Sequence, residues 1–220
     1  VRDVDQELFD FLIANNGAYS YDVKNDNFDY YGQVPKELIQ KVIDVGKEHN
    51  CFFAIHGEMT AERAALVENI DVDFKESDFL EFAKFKNSFL SEEEVVEFGH
   101  KQKIMQLSLR QNKETIKNIA KLFEQYKDQV DIHIANDVYL DINPKNIDKF
   151  KGIKNIINLL DEEVEIYTFG DSGNDLQMLK NADKSYCMGN GNDQAKQVAT
   201  EVIPPNSMPG IAKKIREIIK

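Results

Sequence analysis

The sequence predicts an α/β fold: an open, Rossmann-like parallel sheet wrapped by helices, with an α+β module inserted into it. Three observations predict it. From about residue 150 onward, short strand patterns alternate with helix patterns, as in a doubly wound parallel sheet. Upstream, the patterns instead run as a hairpin, then strand, helix and paired strands, the signature of an α+β unit. The segment Gly170-Asp171-Ser172-Gly173-Asn174-Asp175 falls between a strand pattern and a helix pattern, where open α/β folds place their ligands. The expected division is a parallel-sheet core from residues 1–33 and 144–220, with the α+β insert at about 34–143.

Taken in order, Phe9 to Ala14 is apolar and strand-like, Asn15-Asn16-Gly17 is a turn, and Ala18 to Tyr21 returns as a hairpin. Pro35, favoured at a first helical position, opens a helix to about Glu48 with Leu38, Ile39, Val42, Ile43 and Val45 apolar. Cys51 to Ile55 reads as a strand. Phe79, Phe82, Phe85 and Phe89 are spaced as one face of a helix, read as a packing face rather than a substrate gate. Lys103 to Leu109 is a strand, Glu114 to Tyr126 a helix, and Val130 to Ala135 with Val138 to Ile142 a strand pair around Asn136-Asp137. In the last third, the periodicity predicts helices over 153–160, 175–181, 193–199 and 210–220. Strands are predicted over 164–169, 184–188 and 201–203.

Composition narrows the function. A net charge of -12 with no basic patch beyond Lys213, Lys214, Arg216 and Lys220 argues against a nucleic-acid partner. That basic group reads as the solvated, dipole-matched end of a helix. No apolar run reaches the ~20 residues of a membrane span, and the acidic start is unlike a signal peptide. Cys51 and Cys187 lie in apolar strand-like runs with no CxxC spacing, so both are expected as buried thiols in a reducing cytoplasm. The histidines lack the i, i+4 spacing of a helical zinc site.

The chemistry concentrates in the 170–175 segment. Asp171 and Asp175 are hard oxygen donors suited to a cation such as Mg²⁺, and backbone N–H groups at a helix start attract an anion. Metal and phosphate can share such a site, because the metal bridges the two negative sets. Read plainly, the same residues also suit a turn and a helix cap. No Gly-Lys-Ser/Thr follows, so it is not a Walker loop, and Gly189-Asn190-Gly191-Asn192 lacks dinucleotide-binding spacing. Upstream, Lys151-Gly152 sits near an expected helix start, where the dipole disfavours a cation.

Together, Val138 to Ile142, Lys151-Gly152 and Gly170 to Leu179 resemble the closing half of a Cof-type phosphatase of the haloacid dehalogenase (HAD) superfamily. That family carries a Ser-Lys-Gly motif and then Gly-Asp-x-x-Asn-Asp-x-x-Met-Leu. Asn16-Gly17-Ala18, Asn206-Ser207 and Gly210-Ile211 are similar to its hairpin and last loop. Phe150 departs from the Ser expected before the lysine. The resemblance implies a HAD-type core with an α+β cap. It implies Mg²⁺-dependent hydrolysis of small phosphate monoesters such as sugar phosphates, through an aspartyl-phosphate. On it, Asp171 and Asp175 hold the metal, Lys151 neutralises charge, Asn174 binds phosphate or substrate, and Asp175 joins Lys151 as a catalytic residue.

The family's nucleophile lies in an Asp-x-Asp motif after an apolar strand. Asp3-Val4-Asp5 and Asp71-Val72-Asp73 follow no such strand and are followed by Glu7 and Lys75 where the family has Thr or Val. The nucleophile block is therefore expected upstream of Val1, and residues 1–220 alone are expected to be inactive. A non-catalytic fragment or pseudoenzyme of the fold, or a sugar-phosphate mutase, remain alternatives.

Overall fold

The computed structural model describes residues 8–57, 63–66, 89–135, 137–160 and 162–220. The chain divides into two compact units, residues 1–147 and 148–220. The sequence places its boundary after residue 143. The division into compact units follows Ile147, whose side chain is buried with Ala18, Tyr19 and Met105. In this division residues 8–33 go with 34–147.

The first unit opens with an antiparallel meander, β1 (Phe11–Ala14), β2 (Tyr19–Asp22) and β3 (Asn27–Tyr30). The turn between β1 and β2 runs through left-handed backbone at Asn15, Asn16 and Gly17 (φ 46°, 54° and 98°), a region that Asn and Gly tolerate best. Tyr19 and Tyr21 of β2 pair with Tyr30 and Phe28 of β3; the Tyr21 and Phe28 rings stack, and the Tyr19 and Tyr30 rings meet at a tilt. Helix α1 (Glu37–Glu48) follows, with Leu38, Ile39, Val42, Ile43 and Val45 all buried, as the spacing predicts.

A six-stranded sheet forms the body of this unit. Its strands are β4 (Phe52–Gly57), β5 (Arg63–Leu66), β6 (Phe89–Leu90), β7 (Ile104–Arg110), β8 (Val130–Ala135) and β9 (Tyr139–Pro144), in the order β6-β5-β4-β7-β9-β8. All its pairings are antiparallel except β5 with β6. Alternation along β7 sends Leu107 and Leu109 into the core. There they pack with Phe53, Ile55, Leu140 and Ile142 and with residues of α1, α2 (Glu92–Lys101) and α3 (Lys113–Phe123). Helix α2 begins in a capping box: Ser91 Oγ accepts from Glu94 N, and Glu94 accepts from Ser91 N. Phe89 stands in β6 and not in the helix its spacing suggests, while Phe79, Phe82 and Phe85 lie outside the described residues.

The second unit holds a parallel sheet, β10 (Tyr167–Gly170), β11 (Lys184–Met188) and β12 (Glu201–Ile203), in that order. Its helices are α4 (Lys149–Ile157), α5 (Leu176–Asn181), α6 (Asp193–Val198) and α7 (Gly210–Ile218). The alternation and the parallel pairing match the expected doubly wound pattern. One element is displaced in a way that matters. Helix α4 starts four residues before the first apolar position, Ile153, on which the sequence reading relied. The cause is Asp148: it has extended backbone, and its carboxylate accepts from Lys151 N at 2.8 Å, an N-cap that licenses an earlier start.

Candidate active site

The site is built at the carboxyl end of β10. Gly170 closes the strand, and the chain turns through Asp171, Ser172 and a 3-10 turn, Gly173–Asp175, into α5. Gly170 is required by close approach. A Cβ there would lie 2.7 Å from the Asp175 Cβ and 2.9 Å from its Cγ. The missing side chain lets the Asp175 carboxylate fold back beneath the strand end.

Asp175 is the centre of the arrangement. It is only 4% exposed, and both oxygens are engaged. Oδ2 accepts from Asp171 N at 2.9 Å and Ser172 N at 3.1 Å, and Oδ1 accepts from Lys149 Nζ at 2.6 Å. Ser172 Oγ lies 2.6 Å from Asn174 Oδ1 and 3.2 Å from Asp175 Oδ2, so one hydroxyl proton serves two acceptors. Burial pushes the Asp175 carboxyl up. The Lys149 ammonium and the Asp171 and Ser172 amides outweigh burial and hold it below its ordinary value. Asp175 is thus an ionised, hydrogen-bonded brace that fixes the loop and aims a lysine.

That lysine is Lys149, not the Lys151 chosen from the sequence. Lys149 is the first residue of α4, and its ammonium is half-buried against Asp175. Lys151 offers the site only its backbone N–H, to Asp148. Its side chain is exposed and pairs with none of the described residues. The cation that meets a buried carboxylate at the start of α4 thus stands two positions before Lys151. The local signal for this start is Asp148, a strong N-cap residue that Lys149 follows directly.

Asp171 and Asn174, both half-buried, sit on the same turn. The Asp171 carbonyl accepts from Asn192 N at 2.9 Å, which ties the turn to the loop after β11. The Asp171 carboxylate has no hydrogen bond or ion pair with the described residues. Among the described residues, no group of three His, Cys, Asp or Glu side chains is placed to hold a metal ion. The candidate Asp-x-Asp pairs at 3–5 and 71–73 lie outside the described residues.

The family profile described as haloacid dehalogenase-like hydrolase matches residues 1–215. The chain belongs to this family. As a HAD-like hydrolase it is similar to two Bacillus subtilis proteins, both named as 5-amino-6-(5-phospho-D-ribitylamino)uracil phosphatases. One, YitU, is 21% identical over 216 residues, which cover 96% of this chain and 77% of that protein. The other, YcsE, is 26% identical over 213 residues, covering 96% and 73% respectively. Among solved structures, a HAD subclass IIB sugar phosphatase superposes with a TM-score of 0.76 at 22% identity, covering 97% of this chain and 77% of that one. A HAD-like hydrolase from Bacteroides thetaiotaomicron superposes with the same TM-score, 0.76, at 18% identity, covering 97% and 78%. These superpositions show the HAD fold, as the resemblance implied.

In this HAD-like hydrolase the donor set can be tested against Mg²⁺. A magnesium site needs one or two carboxylates, completed by waters and phosphate. Asp171, with a carboxylate that no described residue engages, fits as such a ligand. Asp175 fits poorly as a direct ligand, because each of its oxygens already accepts from a donor of the protein.

Proposed function

We propose that this chain serves the Mg²⁺-dependent hydrolysis of small phosphate monoesters, sugar phosphates among them. The observation that carries the reading is the Lys149–Asp175 ion pair, braced under the turn that presents the Asp171 carboxylate at the end of a parallel strand. In the proposed division, residues 1–33 and 144–220 belong to one core and 34–143 form its cap. The buried thiols and the acidic surface fit a cytoplasmic protein acting on small molecules.

Each residue then has a role. Lys149 supplies positive charge toward the transferring phosphoryl group, and Asp175 holds that ammonium in place. Asp171 is a metal ligand, and Asp175 serves the metal only indirectly, through the turn it braces. Bound Mg²⁺ would offset the charge of the phosphate oxygens. Asn174 is placed on the turn to meet a phosphate or substrate oxygen. Hydrolysis through a phospho-enzyme needs a further carboxylate. Its oxygen bonds to phosphorus as the ester oxygen leaves with a proton, and water then cleaves the acyl phosphate. Asp175 is fully engaged and Asp171 is reserved for metal, so neither serves as that nucleophile in this reading.

The test is phosphate release from a panel of sugar phosphates, with and without Mg²⁺, by the complete natural polypeptide. Metal-dependent release that Lys149→Ala abolishes and Lys151→Ala spares supports the reading. No release across a broad panel would replace it with a non-catalytic scaffold.

A further inference from the structure

Within the second unit, the loop that follows β11 is packed tightly against the turn that carries Asp171. Gly191 N donates to the Met188 carbonyl at 2.7 Å, closing a turn over Gly189 and Asn190. Asn190 Oδ1 accepts from Asn206 N at 2.8 Å, which ties that turn to the segment after β12. Gly191 has no room for a side chain. A Cβ there would stand 2.6 Å from Cys187 Sγ, 2.9 Å from the Met188 carbonyl oxygen and 3.0 Å from the Asp171 carbonyl oxygen. Asn192 leaves the turn as the N-cap of α6: its Oδ1 accepts from Ala195 N at 2.8 Å, and its carbonyl accepts from Lys196 N at 3.1 Å. Asn192 is thus held on both flanks, and its N–H has a fixed direction.

That N–H donates to the Asp171 carbonyl at 2.9 Å. The bond completes a clamp on the peptide joining Asp171 to Ser172. Ser172 N of the same peptide donates to Asp175 Oδ2, as does Asp171 N of the peptide before it. In a trans peptide the N–H and the C=O point to opposite sides, so Asp175 grips this peptide from one side and Asn192 from the other. With only two soft torsions at each residue, fixing the peptides that flank Asp171 fixes the direction of its Cα–Cβ bond. If the carbonyl were released, the 171–172 peptide would be held at its N–H alone, and the Asp171 carboxylate would move with it.

We propose that Asn192 is a positioning residue for Asp171: through its backbone N–H, held in place by the cap of α6, it fixes the direction of the carboxylate offered to Mg²⁺. The inference rests on Asp171 being the metal ligand of the proposed reaction. It gives Asn192 no contact with metal or substrate. Groups that orient a metal ligand are worth about 10–100-fold in metal affinity. Because Asp175 still holds Asp171 N and Ser172 N, the loss expected here is at the lower end, about tenfold.

The experiment uses the complete natural polypeptide with Asn192→Ala, Asn192→Pro and Gly191→Ala. Asn192 has φ −71°, which a proline ring accepts. Both Asn192 variants lose the side-chain cap, and only the proline also loses the N–H, so the difference between them isolates the bond to Asp171. Calorimetric titration should show Mg²⁺ binding about tenfold weaker in Asn192→Pro than in Asn192→Ala. The Mg²⁺ concentration for half-maximal phosphate release should rise by the same factor. At saturating Mg²⁺, kcat and KM for the ester should agree between the two within about twofold, which places the effect in the metal dependence. Amide hydrogen exchange at Asp171 and Ser172 should be faster in the proline variant. Gly191→Ala pushes on the same carbonyl and keeps the N–H, and it should weaken Mg²⁺ binding in the same direction. Equal Mg²⁺ affinity in Asn192→Pro and Asn192→Ala overturns the proposal. Where the proline variant does not fold, wild-type affinity in Gly191→Ala overturns it instead. If the wild-type polypeptide binds Mg²⁺ yet releases no phosphate, the proposed function falls and the titrations still decide this inference. A wild type that binds no Mg²⁺ ends it together with the ligand role of Asp171.

Discussion

Lys149 occupies a position that helix electrostatics oppose, since the first turn of a helix favours anions. Its retention there is explained by the buried Asp175 carboxylate, 2.6 Å from the ammonium. This separates two lysines on one turn. Lys149→Ala should lower phosphate release by about 10²–10³-fold, the usual cost of removing one preorganised electrostatic partner, while Lys151→Ala should leave it within about twofold. Equal losses for both, measured under the same Mg²⁺ conditions, would contradict the assignment. Asp175 also carries a pH signature. Its folded carboxyl lies below its ordinary value, so its stabilisation is fully present above the unfolded value of about 3.9 and is lost as pH falls through the lower, folded one. Denaturant unfolding should therefore show a constant gap between wild type and Asp175→Asn at neutral pH, shrinking below about pH 4. At this scale the sequence made the acidic pair and its turn legible, because Gly, Asp and Asn between a strand and a helix form a local pattern. It did not distinguish the two carboxylates. Which of them is consumed by backbone amides and a lysine 26 positions away depends on tertiary contacts that no spacing records.

Helix α4 shows how one cap shifts a functional assignment. Hydrophobic periodicity begins at Ile153, but the helix is set four residues earlier by the Asp148 carboxylate on Lys151 N. Asp148→Ala should destabilise the protein by about 1 kcal/mol, the usual worth of such a cap, and Asp148→Ser should restore most of it. Thermal or urea unfolding of the pair checks this, and equal stabilities for the Ala and Ser variants would remove the cap from the argument. Elements with long apolar patterns, such as α1, β7 and the parallel strands of the second unit, fell within a few residues of expectation. Those missed were short or weakly patterned. β3 reads Asn-Phe-Asp-Tyr, and β6 is two residues long, with Phe89 drawn into a parallel pairing with Ala65. Such pairings are made by neighbours distant in sequence, so the local periodicity around Phe89 pointed to a helix instead.

Across the whole molecule, the formal charge of -12 places the Lys149 ammonium in a field that does not attract anions, so any phosphate must be recruited by local groups. Both cysteines are buried, and burial pushes the Cys51 thiol up to about 12 and raises that of Cys187. Neither should be alkylated by iodoacetamide in the native protein at neutral pH, and both should be in denaturant. Mass spectrometry of the intact protein reads the difference.

The last prediction joins the site to the rest of the polypeptide. Asp171 is the one proposed direct metal ligand on this turn, since Asp175 is committed to the protein's own donors. Magnesium dehydrates reluctantly and depends on carboxylates together with phosphate. Residues 1–220 alone should therefore bind Mg²⁺ weakly and release no phosphate from p-nitrophenyl phosphate or hexose phosphates above blank. Electrostatics and positioning from Lys149 and Asn174 cannot replace a covalent step whose nucleophile they do not provide. The complete natural polypeptide should hydrolyse such esters with Mg²⁺, and Asp171→Asn should reduce that rate by several orders of magnitude. Calorimetry and phosphate release on both lengths decide the matter. Tight Mg²⁺ binding by residues 1–220, abolished by Asp171→Asn, would require a second ligand within this stretch. Robust turnover by the same stretch would require its nucleophile there too, and the Asp-x-Asp pair at 71–73 would then be the first place to substitute.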